Sequence, residues 1–134
     1  MAVAGLSLAC RVSRCQLTTF EILAKKVELA RRTFADAELD DLVKVIEADG
    51  RRAICHLDDI GFCFLDTTSD AYDDIHAAVV PKLAPGGILV TDNAISHHHE
   101  ISHVVEKAFS DKRVDALIVP IGKGVLVCRR IGNS

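Results

Sequence analysis

Six short apolar segments alternate with helix-patterned ones along this chain, and no other feature narrows its fold so far. Residues 16–23 (QLTTFEIL) are β-branched and aromatic, as strand residues should be. The stretch AKKVELARRTFADA follows, with Val27, Ala30, Phe34 and Ala37 spaced three and four apart along one helix face. Residues 42–49 and 60–67 read as the next two strands. DAYDDIHAAVVPKL is helical, with a stripe of Ile75, Ala78, Val79 and Leu83. Pro85-Gly86-Gly87 reads as a hard turn before the apolar strand ILVTDN. VDALIVPI and GVLVCRRI, joined by Gly122-Lys123-Gly124, form a closing hairpin. Strands that are apolar throughout and alternate with helices imply an α/β, Rossmann-like, mostly parallel sheet with helices on both faces; the hairpin adds an antiparallel edge pair.

The chain is 134 residues long, one domain's worth, so residues 1–134 are expected to form a single domain. Hydrophobic residues make up 49% and charged residues 26%, which excludes a disordered chain, and a net charge of −3 offers no general attraction to nucleic acid or an anionic membrane. The longest apolar runs are too short to span a bilayer, and the N-terminal MAVAGLSLACRVSR has its arginines after the apolar run, the wrong order for a secretory signal. Five cysteines without a C-x-x-C pair point to reduced thiols and a cytoplasmic compartment.

In sheets of this kind ligands sit at the carboxyl ends of the strands. Glu21, Asp49, Asp66 and Asp92-Asn93 occupy those ends. A single Asp after a strand is usually a helix cap or turn former, but four acidic strand ends together suggest a site.

FCFLDTTSDAYDDIHAAVVPKLAPGGILVTDNAISH resembles the catechol and caffeoyl-CoA type O-methyltransferases, which use S-adenosylmethionine. Asp66, Tyr72, Leu83, Pro85, Gly86, Gly87, Leu89, Val90, Asp92 and Asn93 fall on that family's pattern of a strand ending in Asp, a helix beginning near a Tyr, and L-x-P-G-G-x-L-V-x-D-N. The resemblance runs over essentially the whole chain. It implies a cofactor site of Gly5, Ser7, Glu21, Asp49, Asp66 and Tyr72, with Glu21 gripping the ribose hydroxyls and Asp49 near the adenine. It implies that Asp66, Asp92 and Asn93 hold a divalent cation, and two carboxylates with an amide oxygen suit Mg²⁺, Mn²⁺ or Ca²⁺. A small hydroxylated acceptor is implied as substrate, and a homodimer as a state common in the family. A dinucleotide-dependent oxidoreductase is disfavoured, since no G-x-G-x-x-G is present.

Three departures from the family's pattern stand out. Where it often reads D-A-D-K, this chain has Asp66-Thr67-Thr68-Ser69, so Ser69, a poor base, takes the position of the family's lysine base. The acidic residue usual two positions after Glu21 is Leu23. The first strand and its glycine-rich loop are nearly absent, the match beginning only near Gly5-Leu6-Ser7. That strand would lie mid-sheet, and an empty slot would hold its neighbours about 10 Å apart, twice the strand spacing. Either the N-terminal residues fill the slot, the flanking strands close up, or the chain is a fragment; the expectation is a truncated domain. The alternative function is then a catalytically inactive remnant acting as an interaction or dimer module.

His99-Glu100-Ile101-Ser102-His103 also matches H-E-x-x-H, the zinc-protease signature. On a helix over residues 96–109, Ile101, Val104, Val105 and Ala108 make the apolar face, which turns His99 and His103 to solvent. Beyond Asp115 no acidic residue or histidine supplies a third ligand, so the peptidase reading is set aside. His97 falls nearer the apolar face, just past Asp92-Asn93. It is either an acceptor-pocket base substituting for the missing lysine or a helix-start residue with no chemistry.

Overall fold

The computed structural model describes residues 16–67, 71–92, 94–95 and 98–132, with backbone only at 98–100. The chain divides into two compact units, residues 1–53 and 54–134.

In the first unit, β1 (Leu17–Glu21) pairs in parallel with β2 (Val43–Glu47), in a register that runs from Leu17↔Val43 to Glu21↔Glu47. Helix α1 (Ala24–Asp36) crosses between them and buries Val27. The helix ends in a tight C-cap. Leu39 N–H reaches back to Phe34 O at 2.8 Å and Glu38 N–H to Ala35 O at 2.9 Å, with Glu38 in the left-handed region at φ 55. Leu39, three residues beyond the helix, is itself buried and locks that turn to the core. Of the predicted stripe, Val27 faces inward fully, Ala30 and Phe34 half, and Ala37 is exposed because the helix has already ended. A short α2 (Gly50–Ala53) follows β2.

The second unit is a four-stranded sheet in the order β3-β4-β6-β5. Its strands are β3 (Ile60–Leu65), β4 (Leu83–Thr91), β5 (Val114–Val119) and β6 (Val125–Arg130). β3 and β4 are parallel, and β6 runs antiparallel to both β4 and β5. The hairpin therefore docks through its second strand, leaving β5 outermost. Helices α3 (Tyr72–Val79) and α4 (His98–Ser110) connect the parallel strands. Right-handed crossovers that progress in one direction across a sheet put both helices on one face. The burial agrees: Leu65, Leu89, Thr91, Leu126 and Cys128 alternate inward along their strands, and Ile75, Val79, Ile101, Val104 and Ala108 are buried on the helices. The apolar face predicted for α4 is the one that packs.

Pro85-Gly86-Gly87, expected as a turn, lies inside β4 as a bulge. Two steps along β3, from Ile60 to Phe62, face five along β4, from Leu83 to Ile88. Gly86 has φ 78, and a Cβ on Gly87 would stand 2.6 Å from Ile60 O and 2.8 Å from Ala84 O. The expected turn is thus corrected to a bulge: these residues shift register within β4 and do not precede it.

His76 on α3 is buried, and its Nδ1 has no hydrogen-bond partner among the described residues. Burial pushes its pKa below the ordinary 6.5. The Asp111 and Asp73 carboxylates pull it up, and Lys107 and Arg113 push it down. The unfolded chain then binds a proton that the folded chain refuses. Stability is full above about pH 6.5 and declines as pH falls from there through the lower native value. Thermal melts at descending pH should show this decline, and His76→Leu should flatten it; a wild-type melting temperature constant through that window contradicts the assignment.

Among the described residues, no helix is long and apolar enough to cross a membrane.

Candidate functional site

Each unit gathers carboxylates at the carboxyl ends of its parallel strands. In the first unit Glu21 is the last residue of β1, and Glu47, its register partner, is the last of β2. Register partners on parallel strands share a face about 4.8 Å apart, so two like charges stand side by side. Glu21 Oε1 accepts the Leu23 N–H at 2.9 Å, fixing the turn into α1, while Oε2 has no partner among the described residues. Ile22 and Leu23 beside it are 59% and 55% exposed, an apolar shoulder next to the charge.

Asp49 is differently engaged. Its Oδ1 accepts the Arg51 N–H at 2.9 Å, and the Arg51 guanidinium grips both oxygens at 2.7–3.1 Å. The side-chain hydrogen bond from Arg51 holds the Asp49 carboxyl below its ordinary value. Its carbonyl also receives the Arg52 and Ala53 N–H groups, so Asp49 caps α2.

In the second unit Asp66 and Asp92 directly follow β3 and β4. The final ladder pair is Leu65↔Thr91, and the Asp92 N–H continues the ladder onto Leu65 O at 3.1 Å. Asp66 and Asp92 are therefore the next pair in register, Asp66 exposed and Asp92 half-buried. The chain beyond is pinned to the β5–β6 turn: Ala94 and Ile95 donate to Gly124 O and Lys123 O at 2.9 and 3.0 Å. Gly124, at φ 80, leaves no room for a Cβ beside Ile95, so this anchor requires glycine. Among the described residues no three His, Cys, Asp or Glu side chains converge as a metal set; the Asp66–Asp92 pair is a two-carboxylate donor set that needs further oxygens. Gly5, Ser7, Ser69, Asn93 and His97 lie outside the described residues.

Tyr72, expected at the cofactor, is only 2% exposed at the start of α3 and forms part of the core. The H-E-x-x-H stretch takes another role. His103 Nε2 lies 2.6 Å from Asp73 Oδ2, and Lys107 Nζ lies 3.0 Å from Asp73 Oδ1, so one α3 carboxylate ties down two turns of α4. A separate cavity of about 360 Å³ opens where β1 and β2 begin, lined by Gln16, Arg31, Phe34 and Asp41 among others, at the end of the strands opposite Glu21 and Glu47. Cys63 and Cys128 are pushed up to about 11 by burial, which keeps both as neutral thiols.

A family profile described as O-methyltransferase matches residues 5–131. The chain belongs to the O-methyltransferase family. An Arabidopsis thaliana protein assigned by name to the caffeoyl-CoA O-methyltransferases is 24% identical over 140 residues, covering 87% of this chain and 59% of its own. A Podospora anserina methyltransferase solved with S-adenosylhomocysteine bound superposes with a TM-score of 0.80 at 20% identity, over 90% of this chain and 62% of its own. A Geobacter sulfurreducens methyltransferase superposes with a TM-score of 0.71 at 26% identity, over 87% and 59%. This O-methyltransferase family member thus spans about 60% of the length of its relatives. Within the family fold, its Asp66–Asp92 and Glu21–Glu47 pairs sit where α/β sheets bind ligands, at the carboxyl ends of the strands.

Proposed function

We propose that the protein is a cytoplasmic, S-adenosylmethionine-dependent O-methyltransferase that acts on a small hydroxylated acceptor with the help of a divalent cation. The observation that carries this reading is the in-register pairing of Asp66 and Asp92 at adjacent parallel strand ends, in a chain matched to the family over residues 5–131. S-adenosylmethionine, when bound, supplies a methyl group on a sulfonium sulfur, which passes to an oxygen nucleophile and leaves S-adenosylhomocysteine. Glu21 accepts ribose hydroxyls through its uncommitted Oε2, and Ile22 and Leu23 give the nucleoside an apolar surface. Asp66 and Asp92, with Asn93, would hold the cation, which when bound would supply the positive charge that lowers the pKa of a nearby acceptor hydroxyl. The methyl sulfonium is already reactive, so the protein's share is mainly orientation. His97 is the residue assigned to take the acceptor proton, Ser69 being too weak a base. Free Cys55, Cys63 and Cys128 support a reducing compartment.

The test is transfer of a labelled methyl group from S-adenosylmethionine to catechols and caffeoyl thioesters, with and without Mg²⁺. Labelled product that disappears with chelator is expected; no product from any of these acceptors contradicts the proposal. A non-catalytic module is the second reading. It is favoured by the grip of Arg51 on Asp49 and by the burial of Tyr72, each of which competes with the cofactor contact expected of that residue.

A further inference from the structure

The turn between β5 and β6 stands beside the strand end that carries Asp92. Beyond the register pair Thr91↔Leu126, Ala94 and Ile95 donate to Gly124 O and Lys123 O at 2.9 and 3.0 Å. The Gly124 N–H closes the turn on Ile121 O at 2.9 Å, and the Ile95 side chain lies over Gly124, where no Cβ would fit. Two large apolar side chains are nevertheless left outside: Ile95 is 50% exposed and Ile121 70%. Lys123 is exposed as well, and its ammonium has no ion-pair partner among the described residues. It is the sole basic residue in 91–95 and 119–125.

We infer that this turn selects an acceptor that carries a carboxylate. Ile95 and Ile121 take the face of its ring, and Lys123 binds the carboxylate on the side of the ring away from the reacting hydroxyl. This rests on the reading of Asp66 and Asp92 as the end where that hydroxyl is held.

Reach and charge both agree. The chain from Asp92 to Ile95 spans at most about 10 Å, the scale of a single ring with a polar group at each end. Asp66 and Asp92 repel an anion, so the acceptor's own charge belongs on the side of the turn, where the Lys123 ammonium meets it. A neutral acceptor would cover the two isoleucines and gain nothing from Lys123. An apolar body with one anionic end uses all three side chains, in the way small-molecule sites combine apolar lining with a few placed polar groups.

Calorimetry with protocatechuate, a catechol bearing a carboxylate, and with its methyl ester isolates the charge, S-adenosylhomocysteine and Mg²⁺ being present throughout. The acid should bind about fivefold more tightly than the ester, the upper end for a solvent-exposed ion pair, and the preference should shrink in about 1 M salt. Lys123→Gln should abolish the preference, Lys123→Glu should reverse it and Lys123→Arg should keep it. Ile121→Ser should weaken acid and ester alike. Equal binding of acid and ester by the wild type overturns the inference, as does binding of neither, or a preference that survives Lys123→Gln. Transfer of a labelled methyl group to the same two compounds is read separately. Acid-selective binding without transfer overturns the reading of function, whereas transfer without selectivity overturns the role of the turn alone.

Discussion

Asp92→Ala should slow methyl transfer by about 10²-fold, the scale on which one preorganised electrostatic group acts in an active site. The loss should be accompanied by weaker Mn²⁺ binding, read by calorimetry on the protein without acceptor. Asp92 is the better of the two carboxylates to test. Its backbone is held by the ladder to Leu65 O at 3.1 Å, and the following residues are anchored to the β5–β6 turn. Its carboxylate thus starts from a fixed base and is half-buried, whereas Asp66 is exposed. Side by side, the two carboxylates repel, and a divalent cation relieves that repulsion. Asp92→Asn should keep the fold and part of the affinity, because an amide oxygen can still ligate. Full activity in Asp92→Ala would remove the cation pair from the account.

Leu89→Ala should destabilise the protein by about 2–5 kcal/mol, the range for a large-to-small change in a packed core. Leu89 is fully buried near the end of β4, in register with Cys63 on β3 and Cys128 on β6. The strand is hydrogen-bonded on both sides, so the backbone is poorly placed to collapse into the cavity. Chemical denaturation should show a lower midpoint with little change in slope. Phe64→Ala, by contrast, removes a side chain that is 56% exposed, and it should cost much less. Equal losses for the two would mean that the sheet's inner and outer faces have been assigned wrongly.

Much of this was legible in the sequence because strand and helix periods differ and both are carried by apolar residues. All six strands lie where the apolar runs put them, five of them trimmed by a residue or two at their ends and β4 starting five residues earlier, at Leu83. Pro85-Gly86-Gly87 misled because turn residues at a strand's start look the same whether they end an element or bulge inside it. Only the approach of Ile60 O to Gly87 tells the two apart. The order β4-β6-β5 was equally hidden, since a hairpin can dock through either strand.

For the site, strand-end acids could be found one at a time, but their pairing is a property of register. Glu47 was missed for that reason: alone it reads as a solvated strand-end residue, and only its alignment with Glu21 gives it significance. The pairing of Asp49 had a local signal in Arg51, two residues on, the spacing at which a carboxylate caps a helix and grips its own neighbour. The contact of His103 with Asp73 joins residues on separate helices and has no signal in sequence at all.

The most direct measurement is calorimetric titration of the chain with S-adenosylhomocysteine, beside Glu21→Ala. A dissociation constant in the micromolar range, near −8 kcal/mol, weakened at least about tenfold by the loss of the charged acceptor, is the predicted result. No heat of binding up to millimolar ligand, from a chain whose melting shows it to be folded, would contradict the account.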